Sequence, residues 1–207
     1  MEDLKYIESE EELRTVYDDP TDGAIRKQLA RLDSHARNFI ARAPFLVIAS
    51  QDASGRTDAT PKGDRPGFVE VLDDRTIAIP DRPGNNRLDT FRNIISNPRA
   101  GILFIIPGMN ETLRVNGRAH LTVNSGLCAR LGMNGRPAKS VMLVEVEEVF
   151  MHCAKAFIRS SLWKPTEWPD RSEMPTLGEI LRDQVATSRS ADAIDDALTE
   201  NYRTELW

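Results

Sequence analysis

The chain has 207 residues, 40% hydrophobic and 29% charged, and 27 Lys and Arg stand against 32 Asp and Glu for a net charge of −5. That balance suits a folded chain with a real core and excludes global disorder. The acidic excess gives no electrostatic footprint for nucleic acid or an anionic membrane, though it leaves room for a local basic pocket. The first ten residues are acidic and polar, so no secretory leader is expected. The longest apolar stretches, 43–49 and 100–107, are strand-sized rather than membrane-spanning. Cys128 and Cys153 are the only cysteines and form no CxxC pair. They fit a reduced, cytoplasmic chain without a disulfide framework.

In chain order, Ser9 followed by Glu12 reads as a capping box that starts a short helix carrying Leu13, Val16 and Tyr17. After a turn at Asp19–Pro20 and Asp22–Gly23, apolar spacing predicts one helix over 24–40. Past Pro44 the pattern turns to strands at 45–49 and 57–61, joined by a turn at Asp52–Ala53–Ser54–Gly55, and then at 68–72 and 76–79. A loop over 80–86 leads into a helix predicted at 87–96, stopped by Asn97–Pro98. Three more strands follow at 101–106, 113–121 and 140–150. Many short strands with polar turns predict a closed or half-closed antiparallel barrel rather than a doubly wound sheet. Residues 152–161 are expected to be helical, 163–175 an ordered loop, and 176–206 helical again. The expected organisation is a single domain over 1–207, with an N-terminal helical arm to 42, a barrel core over 43–163 and a helical extension over 164–207.

Two stretches carry binding chemistry. Thr60–Pro61–Lys62–Gly63 ends a strand with a hydroxyl, a cation and a glycine, which suits an anion against the backbone. Pro83–Gly84–Asn85–Asn86–Arg87 precedes a helix start, where free N–H groups favour phosphate, Asn85 and Asn86 can cap, and Arg87 can grip oxygens in a bidentate way. Each alone also fits a solvated surface element; together they make a phosphate cradle. No Walker motif, dinucleotide fingerprint or metal-ligand cluster competes. His35, His120 and His152 have no ligand spacing, and no nucleophile elbow marks a triad. Asp73–Asp74 reads as a turn, and Glu145, Glu147 and Glu148 as a solvated strand edge.

The order of Thr60–Pro61–Lys62, Ile77–Ala78–Ile79–Pro80, Gly84–Asn85–Asn86–Arg87, the run from Asn97 to Phe104 and the run from Leu113 to Ala119 resembles the pyridoxamine 5′-phosphate oxidase-related split barrels that bind flavin mononucleotide (FMN). The run from His152 to Trp163 is similar to a bacterial branch of that superfamily, and the resemblance spans 39–163. It implies a mainly β fold with flanking helices: an antiparallel, Greek-key-like split β-barrel with helical extensions at both ends. It also implies a homodimer with FMN at its interface and a small-molecule substrate. Lys62 and Arg87 would contact the FMN phosphate, with Asn85 and Asn86 beside it. Thr60 and Pro61 would line the ribityl chain or ring, and Ile79 and Pro80 would set backbone against the isoalloxazine. Thr112 stands where the oxidase has a ring-contacting glutamine, and Arg159 and Trp163 would reach the flavin from the second subunit. The implied chemistry is oxidoreduction with NAD(P)H or a small organic donor. A non-catalytic flavin sensor, a deazaflavin reductase and a haem-degrading barrel are the alternatives. The aromatic, Arg- and His-containing terminal motif of the vitamin B6 oxidase is missing from 162–169, which argues against that activity.

Overall fold

The computed structural model describes residues 4–206; Met1 to Asp3 and Trp207, the ends of the expected arm and tail, lie outside the described residues. Seven strands form one antiparallel sheet: β1 (Phe45–Gln51), β2 (Thr57–Gly63), β3 (Glu70–Val71), β4 (Thr76–Pro80), β5 (Arg99–Ile105), β6 (Thr112–Thr122) and β7 (Val141–His152), in the order β2-β1-β5-β6-β7-β4-β3. The sheet is not closed by hydrogen bonds. It curls until the edge strand β2 faces the end of β4, which makes a barrel with a split along one side.

Alternation decides which way each strand faces. Leu46 and Ile48 of β1, Ile102 and Phe104 of β5, and Leu113 and Val115 of β6 point inward and share one core with Ile77 and Ile79 of β4 and Val144 of β7. β4 is buried on both faces, since Ala78 packs outward against Cys128, Leu131 and Ala138. That explains its unbroken apolar sequence. The long pair β6–β7 shifts register between Asn116 and Gly117. A Cβ on Gly117 would collide with the carbonyl oxygen of Glu145, so the bulge requires glycine there.

The helices are α1 (Glu10–Arg14), α2 (Asp22–Arg26), α3 (Ser34–Ile40), α4 (Asp89–Ser96), α5 (Ser125–Arg130), α6 (Lys155–Ser160), α7 (Leu177–Val185) and α8 (Ala191–Glu205). Ser9 Oγ caps α1 by accepting from Glu12 N. The single helix expected over 24–40 is two helices instead. Between them Leu29 exchanges backbone hydrogen bonds with Val149, and Leu32 N donates to Asp74 O. Asp33 Oδ1 then accepts from Ala36 N and starts α3 afresh. A strong N-cap and backbone pairing with the sheet outweigh helical spacing here. The helix α5 was not expected from the sequence; Asn124 caps it, and Cys128 is its buried contact with the barrel. The expected helical stretch over 176–206 breaks at Ala186 (φ 51°) into the hairpin of α7 and α8. Glu145, Glu147 and Glu148 lie on an interior strand of the sheet rather than its edge: Glu147 pairs with Arg99, and Glu148 with Arg114. Among the described residues no helix is long and apolar enough to cross a membrane.

Candidate functional site

The split in the barrel holds a cavity of about 490 Å³, within the range of small-molecule sites. β2 supplies Thr60, Pro61 and Lys62, the end of β4 supplies Pro80, and the loop into α4 supplies Asn85, Asn86 and Arg87. The two stretches that the sequence offered separately therefore face one space, because β2 ends the strand order on one side, β4 stands second from the other, and the curl of the sheet brings them together.

At the mouth of α4, the helix begins at Asp89 rather than Arg87, and Leu88 in the N-cap position makes no side-chain cap. The expectation that Asn85 or Asn86 caps the helix fails: Asn85 Oδ1 accepts from Arg87 N at 3.0 Å, inside the loop. Asn86 (φ 57°) and Leu88 (φ 60°) both adopt the left-handed region. Asn tolerates it, but for a bulky leucine it costs about 1 kcal/mol or more. The first turn, without a side-chain cap, lines the cavity through Leu88, Asp89, Thr90 and Phe91, at the end of the helix where the dipole is positive.

The side chains form three charged or polar groups. Lys62 Nζ lies 3.5 Å from Asp81 Oδ1 and 5.2 Å from the centre of the Phe91 ring. Arg87 Nε donates to Asp89 Oδ2 at 2.8 Å. That bond and the Asp89 charge raise the Arg87 pKa above its ordinary value, with Asp58 adding to the effect. Asp58 Oδ2 accepts from both Thr60 Oγ1 and Thr90 Oγ1 at 2.8 Å. Thr90 Oγ1 also lies 2.8 Å from Thr60 Oγ1, so its single hydrogen is shared between Asp58 and Thr60 and the three side chains form one closed cluster, whose remaining lone pairs suit a ligand hydroxyl. Arg82 lines the same cavity but is committed elsewhere: Nε donates to Asp64 Oδ2 at 2.6 Å and Nη1 to Leu131 O at 2.9 Å. The Asp64 side chain is 0% exposed. Arg82 thus braces the strand ends against the loop after α5.

Four sequence candidates lie apart from the cavity lining. The Ile79 side chain is in the core, so only its backbone adjoins the site. Thr112 is buried at the start of β6, opposite His152. Arg159 is exposed on α6. Trp163 Nε1 donates to Met109 O at 2.7 Å and its ring stacks on Phe157. Sequence reasoning passed over Asp58, Asp81, Asp89 and Thr90. The alternation of Asp58, Thr60 and Lys62 on one face of β2 was the available signal; the pairing with Thr90 depends on the curl.

The fold defines a split-barrel protein with a cavity between β2, the end of β4 and the loop into α4. The profile of the pyridoxamine 5′-phosphate oxidase family matches residues 32–153, and the chain belongs to that family. No curated protein sequence matches the chain. Among solved structures, HupZ of Group A Streptococcus superposes with a TM-score of 0.47 at 20% identity, covering 58% of this chain and 93% of that one. An FMN-binding protein from Syntrophomonas wolfei subsp. wolfei gives 0.46 at 13% identity, covering 57% and 84%. General stress protein 26 from Bacillus anthracis str. Sterne gives 0.42 at 12% identity, covering 55% and 88%.

Proposed function

We propose that the chain is an FMN-binding flavoprotein that acts as an oxidoreductase, taking reducing equivalents from NAD(P)H or a small organic donor. The observation that carries the reading is the convergence of Lys62, Arg87 and the uncapped start of α4 on one cavity. A phosphate has terminal oxygens for all three donors. The Asp58–Thr60–Thr90 group next to them accepts hydrogen bonds, as the hydroxyls of a ribityl chain require. Bound there, FMN supplies hydride and electron transfer, and the protein holds and orients it.

In this reading Lys62 and Arg87 fix the phosphate, Asn85 and Asn86 shape the loop around it, and Thr60 and Pro61 border the ribityl chain. Pro80 and the Ile79 backbone border the ring. A second copy of the chain completes the site in a homodimer, with Arg159 and Trp163 of the second copy reaching the flavin, while Thr112 stands at the position of a ring contact. The two free thiols fit work in the cytoplasm. Vitamin B6 oxidation is not proposed, because the segment after α6 has none of the terminal motif that activity uses.

The test is the absorption spectrum of the purified protein before and after FMN is added. The expected result is a bound flavin spectrum that Lys62→Ala combined with Arg87→Ala weakens by about a hundredfold in affinity, the loss of two charge-assisted contacts at about 1.5 kcal/mol each. A colourless protein that FMN does not reconstitute would sink the reading. Flavin retained equally by the double variant would move the phosphate elsewhere.

A further inference from the structure

We propose that Asp81 and Asp89 set how tightly the cradle holds an anion, each serving as a built-in counter-ion that a phosphate must displace. The proposal rests on the phosphate-cradle reading above. Its ground is that both cations already have carboxylate partners from the site's own walls. Lys62 Nζ is 3.5 Å from Asp81 Oδ1, with side chains 20% and 16% exposed. Arg87 Nε is 2.8 Å from Asp89 Oδ2.

The charges around the cavity do not sum to a positive pocket. Lys62, Arg82 and Arg87 face it together with Asp81 and Asp89. Arg82 is occupied by the buried Asp64. Asp58, hydrogen-bonded to the lining residues Thr60 and Thr90, adds a third carboxylate beside the two free to move. An arriving phosphate therefore trades ion pairs rather than filling an open positive site. It prevails because one group of terminal oxygens can meet Lys62, Arg87 and the α4 N–H groups at once, whereas each aspartate reaches one cation. The traded carboxylates stay nearby and repel the bound anion, which lowers its affinity.

The two pairs differ in depth. Arg87 and Asp89 are 74% and 39% exposed, so water and salt screen that pair. Lys62 and Asp81 are shielded, so Asp81 carries the larger share. Asparagine at either position keeps the side-chain shape and removes the charge. Substitutions inside a binding site ordinarily weaken binding; these two are expected to strengthen it.

The experiment titrates FMN, riboflavin and inorganic phosphate into the full chain and into Asp81→Asn and Asp89→Asn, by flavin fluorescence quenching and calorimetry. Asp81→Asn is expected to tighten FMN about tenfold and Asp89→Asn about twofold to fivefold, in line with a shielded and an exposed pair. Riboflavin, lacking the phosphate, is expected to bind all three proteins alike, and high salt to narrow the differences for FMN. Equal or weaker binding of FMN and phosphate in both variants overturns the proposal and makes the aspartates positioning residues for the cations. FMN bound by the parent protein but lost in the variants leaves the flavin reading standing without this one. Phosphate bound and tightened by the variants, with FMN ignored throughout, keeps the counter-ion role and sinks the flavin reading. No binding of either probe by any of the three proteins overturns both.

Discussion

The barrel and the C-terminal tail are held together by opposite means. In the barrel, residues far apart in sequence meet in one core: Leu46, Ile77, Phe104 and Val144 all belong to it. In the tail the ordering is local. Thr176 and Glu179 form a capping box at the start of α7, Asp170 and Glu173 form another on the short 3-10 helix Arg171–Glu173 before it, and Ser190 caps α8. α7 and α8 pack on each other, with Gly178 so near Ala191 that a Cβ there would strike its carbonyl oxygen. Trp168, Met174, Val185, Tyr202 and Leu206 remain exposed. The family match stops at Cys153, before this tail begins. The barrel is thus held by cooperative burial and the tail by caps and a short hairpin contact, so the same size of local change should propagate differently in each.

The hardest test of that contrast is Phe104→Ala. Phe104 is 0% exposed at the centre of the core, so its truncation should cost about 3–5 kcal/mol of global stability. Denaturant unfolding followed by strand signal should show the loss as a lower midpoint with the slope retained. A loss below about 1 kcal/mol would mean that the barrel core relaxes around the gap and is less cooperative than its packing implies.

The counterpart is Thr176→Ala, which removes one side of a capping box: Thr176 Oγ1 accepts from Glu179 N at 3.1 Å, and Thr176 N donates to Glu179 Oε2 at 2.7 Å. The expected cost is about 1 kcal/mol. It should appear as faster amide exchange confined to α7 and α8 while the amides of β6 keep their protection. Equal acceleration in β6 would join the tail to the barrel as one cooperative unit and erase the distinction.

The same contrast governs what the sequence made legible. Strands β1 and β5 were readable because they fall on the two longest apolar stretches, of strand length. Local caps such as Ser9 were readable because the cap and its helix are neighbours. What escaped depends on contacts between distant segments. The break at Leu29 needs Val149, and α5 gains its place from Ala78 on a strand some fifty residues earlier. In the site, Lys62 and Arg87 stand out as cations in suggestive surroundings. Their carboxylate partners were unremarkable in sequence: Asp81 follows a proline in a loop, and Asp89 is one of many acids at a helix start. Pairing is a property of the curl of the sheet and the turn before α4, which no local window contains.

His152, the last residue of β7, stands at the boundary between the two regions and gives the smallest effect expected here. Its ring lies edge-on to Phe150 at 5.1 Å. Arg114 lies over the Phe150 ring from β6, as does Lys27 from the segment after α2. Burial lowers the His152 pKa below the ordinary 6.5, Arg114 and Lys27 lower it further, and Glu148 opposes them. The unfolded chain therefore binds a proton more readily than the folded one just below pH 6.5. Stability should be complete above that pH and decline as the pH falls through the window beneath it. Asp52 and Asp74, whose carboxyls are held below their ordinary range by Ser54 and Arg56 in one case and Arg31 in the other, lose their contribution only at lower pH. Thermal melting between about pH 5 and 8 isolates the histidine on that basis. The parent protein should melt progressively lower on the acid side, and His152→Gln, which cannot charge, should flatten the curve. Parallel curves for the two proteins would mean that the end of β7 opens to water before the barrel melts, which would place His152 with the tail rather than with the core.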